Sequence, residues 1–250
     1  MQISILCENQ VAYSHARICR AEWGLSLYIE HEGSKVLLDT GHTDIYWKNA
    51  RNLKINLQKI DALVLSHYHW DHVGGLRHHE FKQKKRLIAH PDIIRKISEK
   101  EKSIIESDFV SEFHQGAFEF LPDIFFLGEI PRASGFETGM YKNEPVMDDT
   151  AIAIRTSQGV VVVTGCSHSG ICNICEYAKE VTGQDLYAVI GGFHLAESDT
   201  EAVEGTMEYF KRQGNILLHP MHCVDFATMC KFRSLFNVDK MSAGDKIDIL

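Results

Sequence analysis

The tightest constraint on this chain is a hexapeptide, His67-Tyr68-His69-Trp70-Asp71-His72, set directly behind the apolar run Ala62-Leu63-Val64-Leu65-Ser66. The run reads as a buried strand, and four of the six residues behind it carry groups that bind cations. In an extended turn, residues two apart point the same way, so His67 and His69 can share one ion. Asp71 and His72 can serve a second ion as the chain turns into Val73-Gly74-Gly75. Two ions about 3.5–4 Å apart can clamp the attacking and leaving oxygens of a displacement. A solvated histidine-rich turn is the plain alternative, and the hydrophobic strand in front weighs against it.

The remaining composition narrows the class. At 250 residues with 44% hydrophobic content, the chain suits one large domain, residues 1–250, with a full core. A net charge of −8 argues against nucleic acid as the main partner. It leaves room for a small anionic substrate, because bound cations reverse the local field. No basic leader precedes Met1–Cys7 and no run approaches ~18 apolar residues, so neither export nor membrane insertion is expected. Seven cysteines without an export signal point to reduced thiols in a cytoplasm.

Strands are expected at Gln2–Cys7, Leu25–His31, Lys35–Asp39, Ala62–Ser66 and Arg86–His90, the second and third joined by a turn at Glu32-Gly33-Ser34. Pro91–Glu101 reads as a helix. The stretch 100–117 is polar and aperiodic, as in a mobile or lid segment, and 131–147 reads as a long functional loop. A hairpin about Ser157-Gln158 follows, and then helices 170–181, 199–212 and 224–236 alternate with strands 186–191 and 215–219. Ser198 with Glu201 fits a capping box for the middle helix, and Gly214 fits its stop. Locally paired strands followed by strand–helix alternation suggest an α/β chain with two sheets between helices.

The chain resembles the metallo-β-lactamase superfamily. The metal loop carries the likeness together with Val36-Leu37-Leu38-Asp39-Thr40-Gly41, which resembles the strand that precedes that loop and whose aspartate supports the ligands. Further stretches resemble the dihydropterin-synthase-like branch: Glu22–Leu27, Asp148–Ile152, Thr164–Gly170, Ile190–Leu195 and Pro220–Cys223. The resemblance implies an αββα sandwich of two mixed β-sheets flanked by helices. It also implies two divalent ions, zinc in type, with manganese or iron as other occupants. His67, His69 and His168 would hold the first ion, and Asp71, His72 and His222 the second. Many members place a bridging aspartate where this chain has Cys166. Either Cys166 supplies a thiolate or His168 alone fills the slot, the second being favoured; whether Asp148 joins the shell is open.

His194, behind the paired glycines 191–192, is a candidate for substrate contact or proton transfer. Asp71 and Asp149 are candidate catalytic carboxylates, and Asp148 and Asp149 can also orient a ligand. Trp23, Phe136, Tyr141 and Phe193 would wall a flat pocket, and Arg17, Arg20, Arg132 and Lys142 are candidate phosphate contacts. Cys172 and Cys175 share a helix face and read as buried thiols. His78 and His79 read as solvated.

The leading function is a metallohydrolase that activates water against an ester, lactone or phosphoester. The second is a transferase joining a dihydropterin-methyl diphosphate to an arylamine. An oxygen-reducing di-iron enzyme would carry glutamate where this chain has His69. A metal-dependent binding protein is the non-enzymatic reading. Substrate, native metal and oligomeric state are open at this level.

Overall fold

A computed structural model describes residues 1–137, 140–141 and 144–249. The candidate Lys142 lies outside them. The chain divides into two compact units, Met1–His114 with Met241–Leu250, and Gln115–Lys240. The first holds β1 (Gln2–Cys7), β2 (Ser26–His31), β3 (Ser34–Leu38), α1 (Ile45–Asn52), β4 (Ala62–Val64), α2 (Trp70–Val73), β5 (Lys85–Ala89), α3 (Ile93–Lys96), α4 (Glu99–Asp108) and β6 (Phe109–Phe113). The second begins with β7 (Phe118–Leu121), β8 (Ile124–Phe126), β9 (Met140–Tyr141), β10 (Glu144–Pro145), β11 (Ala151–Thr156) and β12 (Gly159–Thr164). It continues through α5 (Ile171–Thr182), β13 (Leu186–Gly192), α6 (Thr200–Arg212), β14 (Leu217–Met221) and α7 (Phe226–Phe236), and β15 (Lys246–Asp248) returns to the first unit.

The sheet of the first unit runs β15-β1-β2-β3-β4-β5-β6. It is antiparallel through β3 and parallel from β3 to β6. Two residues, Glu32 and Gly33, join β2 to β3, and their φ values of 46° and 88° give the doubly left-handed turn that matches strand twist. Tyr46, Trp47 and Ala50 of α1 pack onto Leu6, Tyr28 and Leu37 of the strands. The parallel half matters most for the site: because β3 and β4 run side by side in the same direction, their carboxyl ends coincide.

The stretch 100–117, expected to be a lid, is instead mostly helix and edge strand. Its periodicity is masked because Glu101 points inward, taking Arg77 Nε at 2.5 Å, while β6 gains order by parallel pairing with β5. The single helix expected over 91–101 is two pieces, α3 and α4.

The second sheet runs β14-β13-β12-β11-β8-β7, parallel across its first three strands and antiparallel beyond. The hairpin β11–β12 turns at Ser157-Gln158. The Val160–Val163 run of β12 is buried on both faces, as a central strand requires. Helices α5, α6 and α7 seal the core with Ile171, Ile174, Val203, Phe210 and Phe232. Each such side chain contributes ~1.5–3 kcal/mol on burial. Helix α6 is capped by Asp199, whose carboxylate accepts from Ala202 N at 3.2 Å, and not by Ser198. The cap thus lies one residue later than expected. No helix among the described residues is long and apolar enough to cross a membrane.

Candidate metal centre

In the first unit the site grows from the paired ends of β3 and β4. Asp39 N donates to Val64 O at 2.9 Å, so Asp39 stands beside the residues that follow β4. Its fully buried carboxylate collects three donors: Ser66 N at 2.8 Å, Ser66 Oγ at 2.6 Å and His72 Nδ1 at 2.7 Å. Ser66 Oγ also lies 2.9 Å from His67 Nδ1. Two imidazoles are thereby gripped at Nδ1, which turns each Nε2 outward as a donor to a cation. His67 Nε2 faces His69 Nδ1 at 3.1 Å. Two nitrogens on one tetrahedral zinc stand about 3.3 Å apart, given bonds of 2.0–2.1 Å. His72 Nε2 lies 3.9 Å from Asp71 Oδ2, a span that one cation can bridge.

The loop is clamped from outside. Leu25 N donates to Asp71 O at 3.2 Å, and Thr40 gives both N (2.8 Å) and Oγ1 (2.9 Å) to His72 O. Gly75 is required here, since a Cβ at that position would stand 2.1 Å from Thr40 O. Glu22 takes His42 N at 3.0 Å and Thr43 N at 2.9 Å, pinning the turn after β3. His67 and His72 are fully buried and Asp71 is buried, whereas His69 is partly exposed. Trp70 is exposed, its ring edge-on to His42 at 4.6 Å.

In the second unit, β12, β13 and β14 run parallel, with Thr164 beside Gly191 and Gly192 beside Met221. Their carboxyl ends deliver Cys166, His168, His194, His222 and Cys223 as neighbours in sequence register. His168 and His222 are buried, His194 is exposed, and the His168 and His194 rings lie 4.1 Å apart. His194 and His222 adopt φ of 49° and 57°, a sharp turn at each strand end. Asp149, almost fully buried, accepts Ser169 N at 2.8 Å and the Ser169 hydroxyl, which holds the loop carrying His168. Burial pushes the Asp149 carboxyl up, against the lowering effect of Ser169 and of the Arg132 charge. Arg132 donates to His168 O at 3.2 Å and Val146 O at 2.6 Å, bracing the loop that carries His168.

Cys223 Sγ accepts His194 N at 3.2 Å and lies 3.5 Å from Cys166 O. Burial pushes the Cys223 thiol up. Hydrogen bonding with Cys166 and His194 and the nearby imidazole charges outweigh it, and the thiol is held well below its usual value.

A sequence profile of the Metallo-beta-lactamase superfamily matches residues 24–183. The chain belongs to this superfamily. Like it in sequence is the 7,8-dihydropterin-6-methyl-4-(beta-D-ribofuranosyl)-aminobenzene-5'-phosphate synthase of Methanocaldococcus jannaschii, 30% identical over 98% of this chain and 95% of that one. Like it in structure is Tm1679, described as a metal-dependent hydrolase of the beta-lactamase superfamily. It is 27% identical with a TM-score of 0.84, covering 100% of this chain and 99% of that one. Zn(2+)-bound PqqB from Methylobacterium extorquens shares the fold at 15% identity and a TM-score of 0.62, covering 100% of both chains. The metallo-β-lactamase fold thus accounts for two mixed sheets with their flanking helices.

Of the expected wall residues, Phe193 borders a cavity together with His168 and His194. Its ring is core, packed against Phe210 and Phe232 with ring centroids 5.7 Å away in each case, and Phe136 lies over Gly205 of α6. Trp23 and Tyr141 are exposed, the latter ring 6.5 Å from that of His168. Arg17 and Arg20 are exposed. His79 is paired with Asp108 at 2.9 Å and is not solvated. Cys172 and Cys175 are buried. Ser66, Ser169, Glu22 and Cys223 were missed by the sequence reading. Only Cys223 carried a signal, being a second metal-binding type directly after His222.

Proposed function

We propose that this chain is a metal-dependent hydrolase acting on a small anionic ester, lactone or phosphoester. His67, His69 and His168 hold one cation and Asp71, His72 and His222 a second, zinc being the cation this imidazole–carboxylate set suits. The observation that carries the reading is the facing pair His67 Nε2 and His69 Nδ1 at 3.1 Å, with His67 gripped from behind by Ser66, itself held by Asp39. Such ions, when bound, lower the pKa of water towards ~7 and polarise a carbonyl or phosphoryl oxygen. Asp71 accepts a hydrogen bond from the attacking water. His194, exposed at the end of β13, gives a proton to the leaving oxygen. Asp39 holds His72 directly and His67 through Ser66, and Asp149 holds the loop of His168 through Ser169. The seven thiols fit a reducing cytoplasm.

A second reading is favoured by one finding, the likeness to a synthase over nearly the whole chain. In it an arylamine replaces water and a dihydropterin-methyl diphosphate loses diphosphate. The experiment offers the metal-loaded protein a phosphodiester, a lactone, and a dihydropterin diphosphate with and without arylamine. Turnover of the first or second that is lost in His69→Ala supports the hydrolase. Diphosphate release only in the presence of amine supports the transferase and overturns the hydrolase.

A further inference from the structure

The carboxyl ends of β12, β13 and β14 bring together a donor set with softer chemistry than the imidazole–carboxylate set. We propose that Cys166, Cys223 and His194 form a site for a single thiophilic divalent cation, sharing its strand ends with His168 and His222 of the proposed hydrolase centre. Their ligand atoms, two sulfurs and one imidazole nitrogen, all lie within 4.8 Å of one another. On a tetrahedral cation with bonds near 2.3 Å, two sulfurs stand about 3.8 Å apart, so little movement closes the cage.

The placement follows from topology. Thr164, Gly191 and Pro220 are paired across the three parallel strands, and each ligand sits two or three residues beyond that row. Gly192 makes the approach possible: a Cβ there would stand 2.7 Å from Cys223 Sγ and 3.2 Å from the Cys166 Cα. His194 N already donates to Cys223 Sγ at 3.2 Å, as backbone amides do around metal-bound sulfur. Cys166 is buried, Cys223 half-buried and His194 exposed, which leaves an entry path on the imidazole side. Two thiolates select Zn2+ or Cd2+ over Mg2+, Ca2+ or Mn2+. Because His194 cannot ligate and transfer a proton at once, an ion here and turnover by the proposed hydrolase exclude each other. The site itself stands independently of that reading.

Cys230 is exposed, so the test uses the Cys230→Ser protein. The zinc-loaded holoprotein, kept reduced, is titrated with Cd2+ while the ultraviolet cadmium–thiolate charge-transfer band is followed. Cadmium-edge X-ray absorption counts the neighbours without any change at the site. The expected result is a band saturating at one equivalent, two sulfur neighbours, and loss of the band in Cys166→Ser and in Cys223→Ser. One sulfur neighbour or none, or a band that survives in Cys223→Ser at undiminished affinity, overturns the proposal. No activity is read, so a failed hydrolase assay cannot be confused with a failed site.

Discussion

Asp39→Asn isolates the carboxylate behind the metal ligands. Asp39 has φ of 57°, a left-handed conformation that Asn tolerates as well as Asp, so the backbone is not strained. The side chains are isosteric, and the oxygen facing Ser66 N can be kept. What changes is the other position, where Oδ2 takes both Ser66 Oγ and His72 Nδ1. An amide nitrogen there donates, so His72 Nδ1 must become an acceptor and its proton moves to Nε2, the atom meant for the cation. Loss of such a carboxylate support costs 10–100-fold in metal affinity, or about 1.4–2.8 kcal/mol. The check is a competition titration of metal-free protein against a chromophoric zinc chelator. The weaker of two zinc equivalents should lose 10–100-fold, while the metal-free protein keeps its far-ultraviolet circular dichroism. Wild-type affinity for both equivalents would refute the reasoning.

Other expectations follow from the same geometry. His69→Ala should abolish zinc-dependent turnover, yet the metal-free melting temperature should fall by no more than about 2–4 °C, the worth of 1 kcal/mol in a chain of this size, since His69 is partly exposed at the mouth of the sheet. Gly75→Ala drives a Cβ to 2.1 Å from the backbone oxygen of Thr40. It should cost ~3 kcal/mol, read as a fall of roughly 6–12 °C in differential scanning calorimetry. Burial pushes the Glu101 carboxyl up, but hydrogen bonds from Arg77 and Ser98 outweigh it and hold it below its usual 4.5. The unfolded state therefore binds more protons as pH drops below that value. The pair's contribution is complete above pH 4.5 and fades as pH falls through the folded value. Glu101→Gln should then destabilise metal-free protein by ~1.5–3 kcal/mol at pH 7, with the gap to wild type closing in acid; a gap independent of pH would contradict this.

The sequence discloses features that depend on local pattern. The β2–β3 hairpin, the run before the metal loop, the β11–β12 hairpin and the alternation through α5, α6 and α7 were legible because period, turn residues and strand length agree over short stretches. Three kinds of feature were hidden. Helix α4 has a weak apolar period, because one of its inward positions is Glu101, which is compensated by Arg77 from elsewhere in the chain. Phe193 sits between paired glycines and a histidine, and nothing local says that its ring turns into the core while the next residue turns out. Cys223 becomes a neighbour of Cys166 only through the register of three parallel strands, 57 residues apart along the chain. The candidate ligands of the metal loop could be named from sequence. Their supports could be named only in part: Asp39 was legible from motif likeness, but Ser66 and Ser169 act through hydrogen bonds that no spacing reveals.

The most direct measurement is an anomalous difference map at the zinc edge from crystals of the zinc-loaded protein. The account predicts a peak about 2.0–2.1 Å from both His67 Nε2 and His69 Nδ1, with the imidazole of His67 still held by Ser66. Crystals that bind zinc but show no density at that position would contradict it.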